Sequence, residues 1–389
     1  MLPKINLISF ILFLCGYALA YMENKDWFEL PMIDINNTNI VFTLHGLCKD
    51  SLIDQEYTLH VDNKTEQIQW KGIGKTMIEK NINSRHWEIR EVQDPFQELL
   101  VLDPGNQVYP LGLHTWKIIN SDLTLSTELS LLFSFCNETE FSCYNANCIL
   151  LEKRCDNFPD CLDKSDEVDC HTISTAAATY KGYEVEFPTI PRKNEELNLF
   201  INVDVDQIVD IKDMDLRFVA KLTVTIKWFD VQLTWINLKS EDAMNFLNSE
   251  EKKMIWIPKV NFGNSEYIEP FQVDESAAVY VQKKTKGESR LYPNEVRRAL
   301  YHNGSENPLT YQRSFQEVFF CKFDYIWFPF DTQHCRITFK PFNSFVPLVN
   351  FVPIKASYTG EKSLLVFSVE EVLFENIGQP SDEIILKIK

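Results

Sequence analysis

Cys321-Lys322-Phe323-Asp324-Tyr325-Ile326-Trp327-Phe328-Pro329-Phe330-Asp331-Thr332-Gln333-His334-Cys335 is the stretch on which the reading of this chain turns. Two cysteines enclose thirteen residues crowded with aromatic side chains. A disulfide that closes a loop of about 15 residues is worth ~3 kcal/mol in the chain-entropy model. Such a bridge makes the aromatic hairpin rigid enough to act as a mechanical element. Pro329, between Phe328 and Phe330, is a candidate cis turn, because X–Pro bonds alone tolerate that form, although most are trans.

Outward from this loop the dominant signal is alternation. Leu197, Leu199, Ile201, Val203 and Val205 are separated mostly by polar residues. Phe218, Ala220, Leu222, Val224, Ile226 and Trp228 alternate with Arg217, Lys221, Thr223, Thr225 and Lys227. Period two over such lengths means half-buried strands of an antiparallel sandwich or barrel. Further strands are expected at Gln316 to Phe323, Cys335 to Phe339, Leu364 to Glu375 and Glu383 to Lys389, with one short helix around Asp242 to Asn248. No βαβ alternation is present, so this half reads as all-β. Trp228-Phe229-Asp230, Leu233 and Trp235 are followed 21 positions later by Trp256-Ile257-Pro258. Tryptophans at strand positions are core residues more often than ligand contacts.

Together these residues resemble the extracellular domain of the Cys-loop, or pentameric neurotransmitter-gated, ion channels. The loop with Phe328-Pro329-Phe330-Asp331 in its second half carries the resemblance, and the tryptophan segments arrive in the family's order. The similarity covers roughly 189–389. It implies a ten-stranded β-sandwich, and a homo- or hetero-pentamer in which five such domains form a ring with small-molecule sites between neighbours. It also implies a gating loop, here Cys321 to Cys335 with Phe328, Pro329, Phe330 and Asp331, that presses on a membrane domain. Trp228, Trp256, Phe342 and Phe345 stand at or near the family's ligand-binding segments. The connection Asn376-Ile377-Gly378-Gln379-Pro380-Ser381-Asp382 lacks the adjacent cysteines and aromatics of acetylcholine-binding members, so the ligand is unknown. In the family the last strand runs into the first membrane helix, and this sequence stops at Ile388-Lys389. An incomplete channel subunit and a secreted, soluble ligand-binding or adhesion protein both fit that ending. The lack of a polar tail favours the former.

Ahead of this half, six cysteines fall within 35 residues: Cys136, Cys143, Cys148, Cys155, Cys161 and Cys170. Such a segment cannot bury enough apolar surface to fold unaided, so it reads as a disulfide-stapled module whose connectivity spacing alone does not fix. Between Cys155 and Cys170 stand six carboxylates, at Asp156, Asp160, Asp163, Asp166, Glu167 and Asp169. A solvated acidic loop is one reading. A hard cation with oxygen ligands is the other, and Ca²⁺ takes six to eight oxygens in flexible geometry.

Phe141-Ser142-Cys143, Cys148-Ile149, Arg154-Cys155-Asp156 and the Asp163-x-Ser165-Asp166-Glu167 run closely resemble a low-density-lipoprotein-receptor class A repeat. The resemblance implies bridges Cys136–Cys148, Cys143–Cys161 and Cys155–Cys170. It implies one structural Ca²⁺ held by Asp156, Asp160, Asp166 and Glu167, with backbone carbonyls of Lys153 and Phe158. Ligand-capturing repeats often have an aromatic residue where Lys153 stands, so a structural or adhesive role is expected here.

Residues 1–20, with Lys4, an apolar run and Ala18-Leu19-Ala20, read as a signal peptide rather than a membrane anchor, which would need about 20 apolar residues. The chain is therefore expected outside the cell, on the plasma membrane or secreted, with glycosylation sequons at Asn36, Asn63, Asn137 and Asn303. Residues 21–135 hold Trp27, Trp70, Trp87 and Trp116 and alternating stretches, and are expected to form a β-rich module of jelly-roll or lectin-like type. Cys48 is a buried free thiol or an intermolecular link. Residues 171–188 read as a Thr-, Ser- and Ala-rich linker.

Composition excludes two classes. The 389 residues carry 56 acidic and 38 basic side chains, a net charge of −18, which opposes sequence-independent binding to a phosphate backbone. Aromatic residues make up 13% of the chain, unlike a disordered one. The seven histidines form no His-x-x-x-His pair, and neither a Gly-x-Ser-x-Gly elbow nor a Gly-rich phosphate loop is present. The sequence reads as a receptor and not an enzyme.

Overall fold

The computed structural model describes residues 41–45, 56–61, 68–72, 76–81, 86–91, 98–102, 110–118, 128–174, 188–190, 195–266, 277–290, 298–328, 330–341, 348–364, 367–375 and 382–388. The signal segment, Cys48, Asn36, Asn63, Pro329, Phe342, Phe345 and the 376–381 connection lie outside them. The chain divides into two compact units. One comprises Met1–Cys170 with Glu288–Tyr301, and the other His171–Gly287 with His302–Lys389. Among the described residues no helix is long and apolar enough to cross a membrane.

The first unit begins with eight strands: β1 (Val41–His45), β2 (Glu56–Val61), β3 (Ile68–Gly72), β4 (Thr76–Lys80), β5 (Trp87–Glu91), β6 (Glu98–Leu102), β7 (Gly112–Ile118) and β8 (Glu128–Ser134). Each pairs antiparallel with its sequence neighbour, and β1 pairs with β8, so the sheet closes into a barrel. The module is β-rich as expected, but its topology is an up-and-down meander and not a jelly roll. Short connections explain this, since a Greek key needs a long return that carries a strand past its neighbours. Alternation puts Trp70, Ile78, Trp87, Ile89 and Trp116 on the buried face. Trp116 meets Phe133 edge-on at 5.7 Å.

The cysteine-rich segment follows as a hairpin of β9 (Glu140–Ser142) and β10 (Cys148–Leu150) with loops folded over it. Phe141, Cys143, Leu151 and Cys161 form its small core, and Ile149 and Leu300 pack against them. Leu300 belongs to a second hairpin of this unit, whose strands are β16 (Glu288–Arg290) and β17 (Ala299–Asn303). Arg154 Nη1 donates to the Arg298 carbonyl at 2.8 Å, and its guanidinium lies 5.0 Å from the Phe141 ring centroid. Leu113 N donates to the Tyr144 carbonyl at 2.8 Å and so ties β7 to the repeat. The approach requires a glycine next door, because a Cβ on Gly112, at φ +92°, would lie 2.5 Å from that same carbonyl oxygen.

The second unit is a sandwich. Its strands are β11 (Leu197–Lys212), β12 (Arg217–Trp228), β13 (Thr234–Ile236), β14 (Val260–Phe262), β15 (Ala278–Val281), β18 (Leu309–Phe320), β19 (Gln333–Pro341), β20 (Val349–Tyr358), β21 (Val369–Glu375) and β22 (Asp382–Ile388). One sheet runs β15-β18-β12-β11-β20 and the other β14-β19-β22-β21. All six alternating apolar residues of β12 from Phe218 to Trp228 are fully buried. In β11 the buried set runs on odd numbers from Leu197 to Val205 and then shifts to Ile208. A bulge between Val205 and Gln207 supplies the extra residue that changes the parity. Between the sheets Phe262 contacts Phe315, Phe319 and Phe339 with ring centroids 5.1 to 5.7 Å apart. The expected helix is a single 3-10 turn at Asp242–Met244, followed by a short α-helix, α1 (Ser249–Lys253).

Candidate functional site

In the repeat, bridges join Cys136 to Cys148, Cys143 to Cys161 and Cys155 to Cys170, the first-to-third, second-to-fifth and fourth-to-sixth pattern. They hold a backbone that would not fold so by itself. Ala146, Cys155, Asn157, Lys164 and Asp169 all have positive φ, a conformation that costs non-glycine residues about 1–2 kcal/mol each. Several acidic side chains cap the backbone amides of these turns. Asp166 is fully buried, and its Oδ2 accepts from the amides of Asp160 at 2.7 Å and Cys161 at 3.3 Å. Its Oδ1 is buried without a hydrogen-bond partner. Glu167 accepts from Asp156 N at 2.9 Å and Asn157 N at 3.1 Å, and burial is the first cause that pushes its carboxyl pKa up. Asp156 Oδ1 accepts from Phe158 N at 2.9 Å.

A buried carboxylate oxygen without a donor is costly, and an all-oxygen donor set suits a hard cation. The residues present therefore fit Ca²⁺. The Lys153 ammonium pairs with Asp160 Oδ1, whose hydrogen bond and charge raise the lysine pKa. That pairing adds a positive charge beside the carboxylates that the sequence alone did not foretell.

At one end of the sandwich, the Cys321–Cys335 bridge closes the aromatic loop. Phe323 turns into the core, and Tyr325 stacks on it with ring centroids 6.2 Å apart. Gln333, almost fully buried, fixes the base of the loop: its Nε2 donates to the Asp324 carbonyl and its Oε1 accepts from the Asp324 amide, both at 2.7 Å. Beyond this clamp the apolar side chains face outward, with Ile326 77%, Trp327 76%, Phe328 72% and Phe330 84% exposed. The turn between β11 and β12 lies beside the loop. Cys321 N donates to the Leu216 carbonyl at 2.9 Å, and Asp213, with burial the larger cause, raises the Tyr325 pKa. Met214 and Leu216 add to the exposed apolar surface. A patch of this kind on a folded protein marks a surface that another apolar body covers.

Trp228 and Trp256 meet edge-to-face at 6.2 Å, and both lie inside the sandwich, with 0% and 3% exposure. Packing is the role this burial supports. Asp230, from the same motif, accepts from Thr189 Oγ1 at 3.2 Å and Gln232 N at 3.0 Å and pins the turn before β13. Asn137 and Asn303 are exposed, as sequons must be to be modified.

One anchor escaped sequence reading. Glu251, buried in α1, accepts from Thr172 N at 2.6 Å and Ile173 N at 3.3 Å, while Ile173 is 1% exposed. The beginning of the expected linker is thus a packed segment. Its signal was the capping box, Asn248 with Glu251 three positions on, which both side chains complete.

Residues 175–364 match the family model of the neurotransmitter-gated ion-channel ligand binding domain, and residues 134–170 match the low-density lipoprotein receptor domain class A. Over 165 residues the chain is 24% identical to the betaine receptor acr-23 of Caenorhabditis elegans, a stretch covering 42% of this chain and 26% of that one. Over 36 residues it is 58% identical to the basement membrane-specific heparan sulfate proteoglycan core protein of Mus musculus, covering 9% of this chain and 1% of the relative. The chain spans about a quarter of the first relative and about a hundredth of the second. Class A repeats generally bind calcium, and Cys-loop receptor domains normally assemble as pentamers. The channel family is not an enzyme class, and both kinds of domain are extracellular. The chain thus joins a segment matching the low-density lipoprotein receptor class A domain to one matching the neurotransmitter-gated ion-channel ligand binding domain, distantly homologous to a Cys-loop receptor.

Proposed function

We propose that this chain is the extracellular ligand-binding part of a Cys-loop channel subunit, in which small-molecule binding between neighbouring subunits drives a pore supplied by further sequence. The observation that carries this reading is the disulfide-closed loop. It holds Ile326, Trp327, Phe328 and Phe330 outward on a rigid base, beside the exposed Met214 of the β11–β12 turn. Large apolar side chains held in water by a rigid support make sense where a membrane domain covers them. Five copies form the ring, and the chain does no catalysis of its own.

The class A repeat is a structural calcium module, in which Asp156, Asp160, Asp166 and Glu167 hold Ca²⁺ with the backbone carbonyls of Lys153 and Phe158. The ion supplies charge neutralisation for a carboxylate cluster that otherwise relies on backbone amides and Lys153. Residues 1–20 are removed as a signal peptide, residues 21–135, 136–170 and 189–389 are the three extracellular modules, and Asn137 and Asn303 carry glycans.

Sequencing the transcript beyond Lys389 tests the channel reading. Four downstream apolar segments of about 20 residues each are expected. A stop codon directly after Lys389 would leave a secreted binding or adhesion protein and overturn it.

A further inference from the structure

By sequence the hairpin Glu288–Tyr301 lies inside the stretch that matches the ligand binding domain, yet by packing it belongs with the cysteine-rich repeat. Its strands pair from Glu288 opposite Tyr301 to Arg290 opposite Ala299. Contacts with the repeat hold it. Leu300 packs on the core of Phe141, Cys143, Leu151 and Cys161. Ser289 Oγ donates to the Glu138 carbonyl, and Arg154 Nη1 donates to the Arg298 carbonyl at 2.8 Å. A strand of three residues such as β16 has little hold of its own in water and depends on such packing. Just outside the hairpin, Asn307 clamps the chain without help from the repeat. Fully buried, its Oδ1 accepts from Lys284 N at 2.7 Å and Thr285 N at 3.2 Å, while its Nδ2 donates to Thr285 Oγ1 and the Asn303 carbonyl, both at 2.9 Å. The residues that enter and leave the hairpin are thus fixed within the second unit. The hairpin can therefore leave the repeat by local opening, without loosening the sandwich.

Arg154 links this contact to the carboxylates. It is followed by Cys155 at φ +62° and, two positions on, by Asn157 at φ +67°, conformations that L-residues adopt only where neighbours impose them. The turn Asp166-Glu167 imposes them here. Cys155 N donates to the Asp166 carbonyl at 3.1 Å, and the amides of Asp156 and Asn157 donate to the Glu167 carboxylate. When no cation balances Asp156, Asp160, Asp166 and Glu167, their mutual repulsion and the donorless Asp166 Oδ1 work against that turn. The loop it then releases is the one that aims Arg154 at the hairpin.

We propose that the class A repeat is a calcium-controlled clasp for the hairpin Glu288–Tyr301: with Ca²⁺ bound, the loop 153–157 is fixed and Arg154 holds the Arg298 carbonyl, and without the ion the hairpin comes free. The inference rests on the calcium reading of the repeat. Coupling between two binding events is reciprocal, so the docked hairpin in turn tightens the repeat's hold on Ca²⁺.

The test compares the full chain, disulfides intact, in Ca²⁺ and in EGTA by amide exchange, with calcium affinity measured by calorimetry. Chelation should speed exchange at least about tenfold in β16 and β17 as well as within 136–170. Leu300→Ala should leave the hairpin exchanging fast even in Ca²⁺ and weaken calcium binding about fivefold or more, although its side chain is no ligand. Should that variant lose its fold, Arg154→Gln decides instead: a hairpin that exchanges fast with and without Ca²⁺, beside a repeat that still responds to the ion, supports the clasp, and a hairpin that still slows on adding Ca²⁺ overturns it. In the unaltered chain, faster exchange confined to 136–170 overturns the clasp and leaves the calcium site standing, whereas no change in either segment removes both. Unchanged calcium affinity in folded Leu300→Ala also overturns the clasp.

Discussion

His302 sits at 1% exposure, and its pKa is pushed down to about 4, first by loss of hydration and then by the charge of Lys283. An unfolded chain takes up that proton near pH 6.5, whereas the folded one refuses it until about pH 4. Stability from this group is therefore complete above pH 6.5 and falls as the pH drops towards 4, with an upper bound on the order of 3 kcal/mol. His302→Gln should remove that share of the slope. Urea midpoints of both proteins between pH 7 and pH 4 check it, and parallel pH profiles would show that the imidazole contributes nothing.

At the level of elements, the turn that follows His302 is built around close backbone approach. Gly304 N donates to the Leu233 carbonyl at 2.9 Å, and a Cβ on Gly304 would lie 2.2 Å from the Asp230 carbonyl oxygen and 2.7 Å from that of Leu233. Gly304→Ala leaves the Asn303-x-Ser305 sequon intact, so glycosylation does not confuse the result. Because main-chain atoms on both sides must move, a loss of about 1–3 kcal/mol is expected from equilibrium unfolding. An unchanged midpoint would contradict the packing described for the β12–β13 turn. Strands such as β12 were legible in advance, because one face is buried along their whole length and alternation survives in the residues. The parity change in β11 was not, since a bulge adds a residue without any distinctive side chain. Nor was the closure of β1 on β8. Alternation identifies a strand but says nothing of its partner. The site was readable to the same degree. The carboxylate run and the aromatic loop are local in sequence, whereas the Gln333 clamp needs a fold to bring it to Asp324, and Glu251 reaches Thr172 across 79 positions.

For the molecule as a whole, the two units are expected to respond separately to metal. Chelation of Ca²⁺ with disulfides intact should speed amide exchange within 136–170, where the carboxylates lose their counter-charge, and leave the strands of the sandwich as protected as before. Asp166→Asn, which alters a buried carboxylate oxygen of the repeat that lacks a donor, should lower calcium affinity at least about tenfold by calorimetry and make exchange in the repeat insensitive to chelator. Equal exchange with and without calcium in the unaltered protein would remove the metal from the account.

The hairpin Glu288–Tyr301 has a last implication, and it concerns synthesis. Leu300 and the Arg298 carbonyl complete the packing around Phe141 and Arg154, yet they are translated about 130 residues after Cys170. At about 5–20 residues per second, the ribosome delivers them roughly 7–26 seconds later. On the secretory route proposed above, the six cysteines of the repeat meet an oxidising lumen during that interval with part of their core open to solvent. Disulfide exchange in the newborn chain thus has a window that closes only when the late hairpin arrives.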